Sequence, residues 1–169
     1  PGDPRLINGE RAGRLTRDRQ LLNRGDVRFT DILRRDSLRL ACSSLVHFAH
    51  WITPDFMPRR FDTHFFLAHA PESQLAAHDG EESVESVWIR PEDAIDAAAD
   101  EGRYKMLFPT RSILHRLCGD NSPSDHLREA ADTPVVTVAP QLVKGKTGTF
   151  VQIPDNIGYA CFEEQVSKD

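Results

Sequence analysis

The stretch Leu45–Leu67, LVHFAHWITPDFMPRRFDTHFFL, decides how the chain is read. Two runs rich in aromatic and β-branched residues flank a proline-bounded segment, Thr53-Pro54-Asp55-Phe56-Met57-Pro58-Arg59-Arg60. In the first run Val46, Phe48 and Ile52 fall on one parity, with His50 among them. In the second, Phe61, Thr63, Phe65 and Leu67 do the same. A period of two belongs to a strand, not a helix. Proline has no N–H to give to a ladder, so Pro54 and Pro58 belong to the turn. The stretch predicts a long β-hairpin with Arg59 and Arg60 side by side at its tip.

Upstream, Glu10 to Leu22 has the character of a helix, with Asn23-Arg24-Gly25 as its stop signal. Asp26 is a candidate N-cap for a second helix running through Leu38, since Phe29, Ile32 and Leu33 lie at helical spacing. Downstream, Asp79-Gly80 closes a loop, and Ser83 to Arg90 alternates as a third strand. Arg90-Pro91-Glu92-Asp93 opens a helix with proline and acids in its first turn, and Gly102 stops it. Another helix is expected from about Pro109, with Ile113, Leu114 and Leu117 on one side, and a short one over Asp125 to Ala131. Pro134 to Val138 and Gly148 to Ile153 are β-rich, with Lys144-Gly145-Lys146 as the turn of a terminal hairpin.

A chain of 169 residues suits one domain with a small appendage. The hydrophobic share of 39% and charged share of 28% are those of an ordinary soluble protein, and no apolar run approaches a membrane span. The net charge of −5 argues against nucleic acid as the main partner. Arginines crowd the first 40 residues, among them Arg11, Arg14, Arg28, Arg34 and Arg35, and lysine is absent there. They form either a phosphate-attracting patch or, the more economical reading, a solvated helical face laced with Glu10, Asp18, Asp26, Asp31 and Asp36. Cys42, Cys118 and Cys161 are few, distant and without C-x-x-C spacing. That suits small buried thiols in a reducing compartment, with cytoplasm as the expected location.

Several chemistries lack their motifs. There is no G-x-S-x-G elbow, P-loop, dinucleotide glycine fingerprint, H-E-x-x-H or zinc spacing. His47 and His50, three apart in a strand, are expected on opposite faces, where they cannot share one metal ion.

The segment HWITPDFMPRRFDTHFFLA (His50–Ala68) resembles the part of Nudix hydrolases that follows their catalytic box, in the branch of coenzyme A diphosphatases. GEESVESVWIRPEDAI (Gly80–Ile95) and LFPTRSILHRL (Leu107–Leu117) resemble the same branch in the same order, so the likeness covers about half the chain. It implies an α+β fold with a mixed β-sheet sandwiched between helices. The corresponding division is an arginine-rich helical segment (1–40), the core of the Nudix-like domain (41–119) and a C-terminal extension with a hairpin (120–169). The family signature, G-x5-E-x7-R-E-U-x-E-E-x-G-U (U a bulky aliphatic), is not in this sequence: the only Arg-Glu pair, Arg128-Glu129, is followed by Ala-Ala-Asp-Thr-Pro. In the family that box precedes the hairpin. The chain, which starts at Pro1, is therefore expected to be a fragment whose early strands and box helix are missing. Side chains such as Phe48, Phe65 or Val87 are then expected to be exposed.

The resemblance implies hydrolysis of a nucleoside diphosphate linked to another group, coenzyme A or acyl-CoA foremost, with Mg2+ or Mn2+. Such ions need hard carboxylate ligands. Glu82 or Glu81 matches the loop position where some Nudix enzymes carry an extra metal-binding or base glutamate; the competing reading is a solvated acidic loop. Arg59 and Arg60 are candidates for phosphate binding, because guanidinium forks match phosphate geometry, or else they belong to an exposed turn paired with Asp55 or Asp62. Trp51 and Phe56 are candidates for stacking on a base or for packing in the core. The chain alone is expected to be inactive, and the rival reading is a non-catalytic binding or regulatory module on the same scaffold.

Overall fold

The computed structural model describes residue 7 and residues 9–70, 86–99, 105–160 and 163–166. The chain is α+β and divides into two compact units, Pro1–Leu45 with Ala68–Val87, and Val46–Leu67 with Trp88–Asp169.

The first unit is helical where it is described: α1 (Gly9–Arg14), α2 (Thr16–Asn23) and α3 (Phe29–Arg35), followed by a 3-10 turn at Cys42–Ser44. The single helix expected over 10–22 is interrupted at Leu15, close after Gly13, a poor helix former. α2 ends as predicted. Gly25, at φ +77°, donates to the Leu22 carbonyl, and Asp26 N–H reaches back to Leu21 O at 2.9 Å. Asp26 thus belongs to the closure of α2 and does not cap the next helix, which begins beyond it. Arg28 occupies the N-cap of α3 instead, in extended geometry and without a side-chain cap. α3 stops at Arg35 and not at Leu38, because Ser37 turns left-handed (φ +52°) and Leu38 N–H returns to Leu33 O. Cys42 is exposed, contrary to the buried role expected of it, and Cys118 is half-buried; both are free thiols.

The second unit holds the predicted hairpin. β1 (Val46–Ile52) pairs antiparallel with β2 (Asp62–Leu67). α4 (Pro91–Ala99), α5 (Phe108–Arg116) and α6 (Pro123–Asp132) follow close to their expected positions. α6 starts on a capping box between Ser122 and Asp125. The strand expected over 83–90 is not formed at 86–90, and 83–85 lie outside the described residues. Alternation of side chains alone does not make a strand, and Trp88 is 75% exposed.

The C-terminal β-segments are distributed differently from expectation. β3 (Thr137–Val138) joins β1 in parallel, giving the order β2-β1-β3. The terminal hairpin is β4 (Gln141–Gly145) with β5 (Gly148–Gln152), extended by β6 (Glu163–Gln165) into a second sheet. Its tip is Lys146-Thr147, flanked by the paired Gly145 and Gly148. A Cβ on Gly145 would stand 2.9 Å from the Phe150 ring, so that position needs glycine.

β1 carries a bulge. His47 pairs with Phe66 and Ala49 with Phe65, leaving Phe48 as the extra residue. The inward parity therefore switches. Val46, Phe48, Ala49 and Trp51 face the core, whereas His47, His50 and Ile52 do not, which corrects both the single parity and the opposed histidines inferred from spacing. It also buries Phe48, expected exposed; Phe65 is half-buried, and Val87 is exposed. Among the described residues, the outer edge of β2 has no partner strand.

The core gathers Phe48, Ala49, Trp51, Phe108, Ile113, Ala130, Val138, Ile153 and Tyr159. Trp51 meets Phe108 and Tyr159 edge-on and donates its indole N–H to Tyr159 Oη at 3.1 Å. Arg116 lies over the rings of Phe48, at 4.3 Å, and Tyr159, at 4.9 Å. Tyr159→Phe strips the buried indole of its acceptor and should lower stability by about 1–3 kcal/mol. Phe61→Ala, at a site 63% exposed, should change it by no more than about 0.5 kcal/mol. Urea denaturation of both variants measures the contrast.

Candidate functional site

The hairpin tip and the start of α5 enclose a cleft of about 430 Å3 within the second unit. Its walls are mainly apolar: Trp51, Phe56, Met57, Phe61 and Phe65 from the hairpin, Leu107, Phe108 and Pro109 at the start of α5, Pro140 just before β4 and Val151 from β5. The polar groups on its lining include Arg59 and Glu164. The cleft exists because the hairpin outruns the elements that cover it. Trp51, one residue before the end of β1, is buried in the core, while beyond it Phe56 in the turn and Phe61 just before β2 remain exposed. The tip is shaped by its own polar groups: Thr53 N–H donates to Phe61 O at 2.9 Å, and Phe61 N–H donates to Thr53 Oγ1 at 3.0 Å.

Arg59 and Arg60, alike in sequence, differ in place. Arg60 donates through Nε to Thr53 O at 3.1 Å, so it braces the turn. Arg59 lines the cleft, and among the described residues no carboxylate pairs with it. Asp62, proposed as a partner for these arginines, is engaged with His50 and His64 instead. Trp51 is 3% exposed and belongs to the core cluster, the packing role of its two candidate roles, and it contributes to the cleft wall from there. Phe56 lines the cleft without joining the core. Glu81 and Glu82 lie outside the described residues. Glu164 forms a 2.6 Å ion pair with Arg111, tying β6 to α5 beside the cleft.

A second polar constellation was not foreseen from the sequence. His50 Nε2 lies 2.5 Å and His64 Nε2 3.6 Å from Asp62 Oδ1, and the two imidazoles stack at 4.0 Å. The Asp62-Thr63-His64 alternation already places an acid and a histidine on one strand face. Spacing alone does not reveal that the bulge in β1 brings His50 opposite His64.

In the helical unit the arginines are largely spent on neighbours, as the economical reading expects. Arg35 bonds Asp18 at 2.7 and 2.9 Å and Asp36 at 2.7 Å, Arg14 pairs with Glu10, and Asp31 lies between Arg28 and Arg34. Hydrogen bonding to Arg35 holds the Asp18 and Asp36 carboxyls below the usual carboxylate range and raises the guanidinium in turn. No described helix is long and apolar enough to cross a membrane.

No protein-family model, curated protein or solved structure matches the chain.

The Arg35 pairings carry a pH signature. A carboxyl whose pKa is depressed by folding stabilises the chain fully above its unfolded pKa and loses that contribution as pH falls through the folded value. In Arg35→Gln, NMR titration should therefore find Asp18 shifted up toward the ordinary range. The loss of stability on the acid side should become shallower at the same time.

Proposed function

We propose that this chain forms the substrate-binding part of a Nudix-type diphosphatase, one that splits a nucleoside diphosphate linked to another group. Coenzyme A or an acyl-CoA is the favoured substrate. The observation that carries this reading is the cleft: about 430 Å3, walled by aromatic and aliphatic side chains, with Arg59, which has no carboxylate partner among the described residues, on its lining. The volume lies within the roughly 300–1,000 Å3 of small-molecule sites. An apolar acyl chain suits such walls, and a diphosphate suits the guanidinium fork. Net charge of −5 argues against nucleic acid as the partner.

In this reading Arg59 orients phosphate and Arg60 holds the turn that presents it. Trp51 and Phe56 pack against the base or the apolar arm. Glu82, with Glu81, assists in holding metal or directing water. Mg2+ or Mn2+, when bound, supplies charge neutralisation and an activated water. The carboxylate-rich signature is not in this sequence, so these residues by themselves bind substrate without turning it over. The same absence favours a second reading, a non-catalytic binding or regulatory module on a Nudix scaffold. The segment of the encoding gene before residue 1 separates the two, because only the hydrolase requires the signature there.

The binding claim is testable on the chain itself. Calorimetry should find acyl-CoA bound more tightly than ADP-ribose or NADH. Arg59→Gln should weaken coenzyme A binding about tenfold or more. Phe56→Ala should weaken acyl-CoA more than ADP-ribose. Unchanged affinity in Arg59→Gln contradicts the assignment, as does phosphate release from coenzyme A by the isolated chain at an enzymatic rate with Mg2+.

A further inference from the structure

We propose that His50, Asp62 and His64 form a site for one divalent transition-metal ion of the zinc class, on the hairpin face turned away from the core. The proposal is independent of the apolar cleft, and its ligands differ in kind from the carboxylates that Mg2+ requires.

Strand pairing places the three residues. His50 of β1 is directly opposite His64 of β2, and Asp62 is two residues before His64 on the same face. One ligand atom from each lies within 4.8 Å of the others. Tetrahedral bonds of about 2.0–2.1 Å place neighbouring ligand atoms about 3.3 Å apart. The 3.6 Å between His64 Nε2 and Asp62 Oδ1 is close to that edge length. The 2.5 Å between His50 Nε2 and Asp62 Oδ1 is a hydrogen-bond distance, shorter than that edge. An ion would replace the proton of this bond and widen the 2.5 Å separation by less than about 1 Å, to the tetrahedral edge. The near-parallel rings, 5° apart, must also tilt for their lone pairs to converge. His64 and Asp62 have the freedom to do so, with side chains 47% and 66% exposed.

The other nitrogen of each imidazole is already held. His50 Nδ1 lies 2.8 Å from Thr137 Oγ1, and His64 Nδ1 lies 3.1 Å from His47 Nε2. Metal-binding histidines are oriented in this way, by a hydrogen bond on the nitrogen that does not ligate. Here it leaves both Nε2 atoms beside the one carboxylate oxygen. Two imidazoles and a carboxylate suit Zn2+ and neighbouring transition metals, whereas Mg2+ prefers oxygen ligands alone. Solvent exposure at Asp62 leaves a coordination position for water or an anion.

Titration of the purified chain with Zn2+, Co2+ and Mg2+ tests the site. The expected result is saturable binding of one equivalent of Zn2+, visible absorption bands of four-coordinate Co2+ that Zn2+ abolishes, and no competition from equimolar Mg2+. Zn2+ should also raise the melting temperature, because the ion ties β1 to β2. His64→Ala and Asp62→Ala alter exposed side chains and should retain the native circular dichroism. Each should weaken Zn2+ at least tenfold and remove the Co2+ bands. Thr137→Val, which removes the hydroxyl beside His50, should weaken Zn2+ about tenfold. His115→Ala should match the unaltered chain. If His50→Ala fails to fold, the two exposed variants decide the matter. Absence of one-equivalent binding overturns the proposal, as does unchanged affinity and an unchanged Co2+ spectrum in His64→Ala.

Discussion

The extra residue at Phe48 is the constraint on which the sheet depends. An uninterrupted strand would send Phe48 and Ala49 to opposite faces. With the bulge, both face the core, and the alternation restarts one residue out of phase. Trp51 is thereby placed where its indole can meet Tyr159 and Phe108, and His50 is placed opposite His64. One backbone irregularity thus joins the packing on one face of the hairpin to the polar chemistry on the other.

The core is held from the C-terminal half of the chain as much as from the hairpin. Val138 enters on β3, Ala130 on α6, Ile153 just beyond β5, and Tyr159 in the following loop. Arg116 connects these layers by covering Phe48 and Tyr159 with its guanidinium plane. A buried polar group is tolerable when its bonds are satisfied, and Trp51 Nε1 meets that condition through Tyr159. Beyond this cluster the hairpin tip has fewer neighbours. The same aromatic character that closes the core near Trp51 therefore leaves an open cleft at Phe56 and Phe61.

Charge is distributed with similar economy. Arginine abundance near the start of the sequence suggests anion binding only until partners are counted; Arg35 alone serves both Asp18 and Asp36. Pairs of this kind, with the Arg35 side chain more than half exposed, contribute little each to stability. Their effect is to neutralise local charge and leave fewer cations for an external phosphate. In the second unit Arg111 and Arg60 are likewise engaged, and Arg59 is the arginine of the tip that lines the cleft with no carboxylate partner among the described residues.

Local signals determined much of the architecture: the hairpin from its period of two and its prolines, α4 from Pro91 and its acids, and the end of α2 from Gly25. These depend on dihedral preference and on bonds made within a few residues, so they are written in short stretches of chain. The absence of the carboxylate signature is equally a property of the sequence. Tertiary structure alone decided what depends on a distant partner. It paired β3 with β1, left residues 86–90 outside the strands formed among the described residues, and set the bulge that reversed the parity of His50. It also separated Arg59 from Arg60, because a neighbouring backbone carbonyl claims only one of them. The physical reason is that hydrogen-bond partners and covering side chains come from segments far apart in sequence, and no local pattern records which of them will meet.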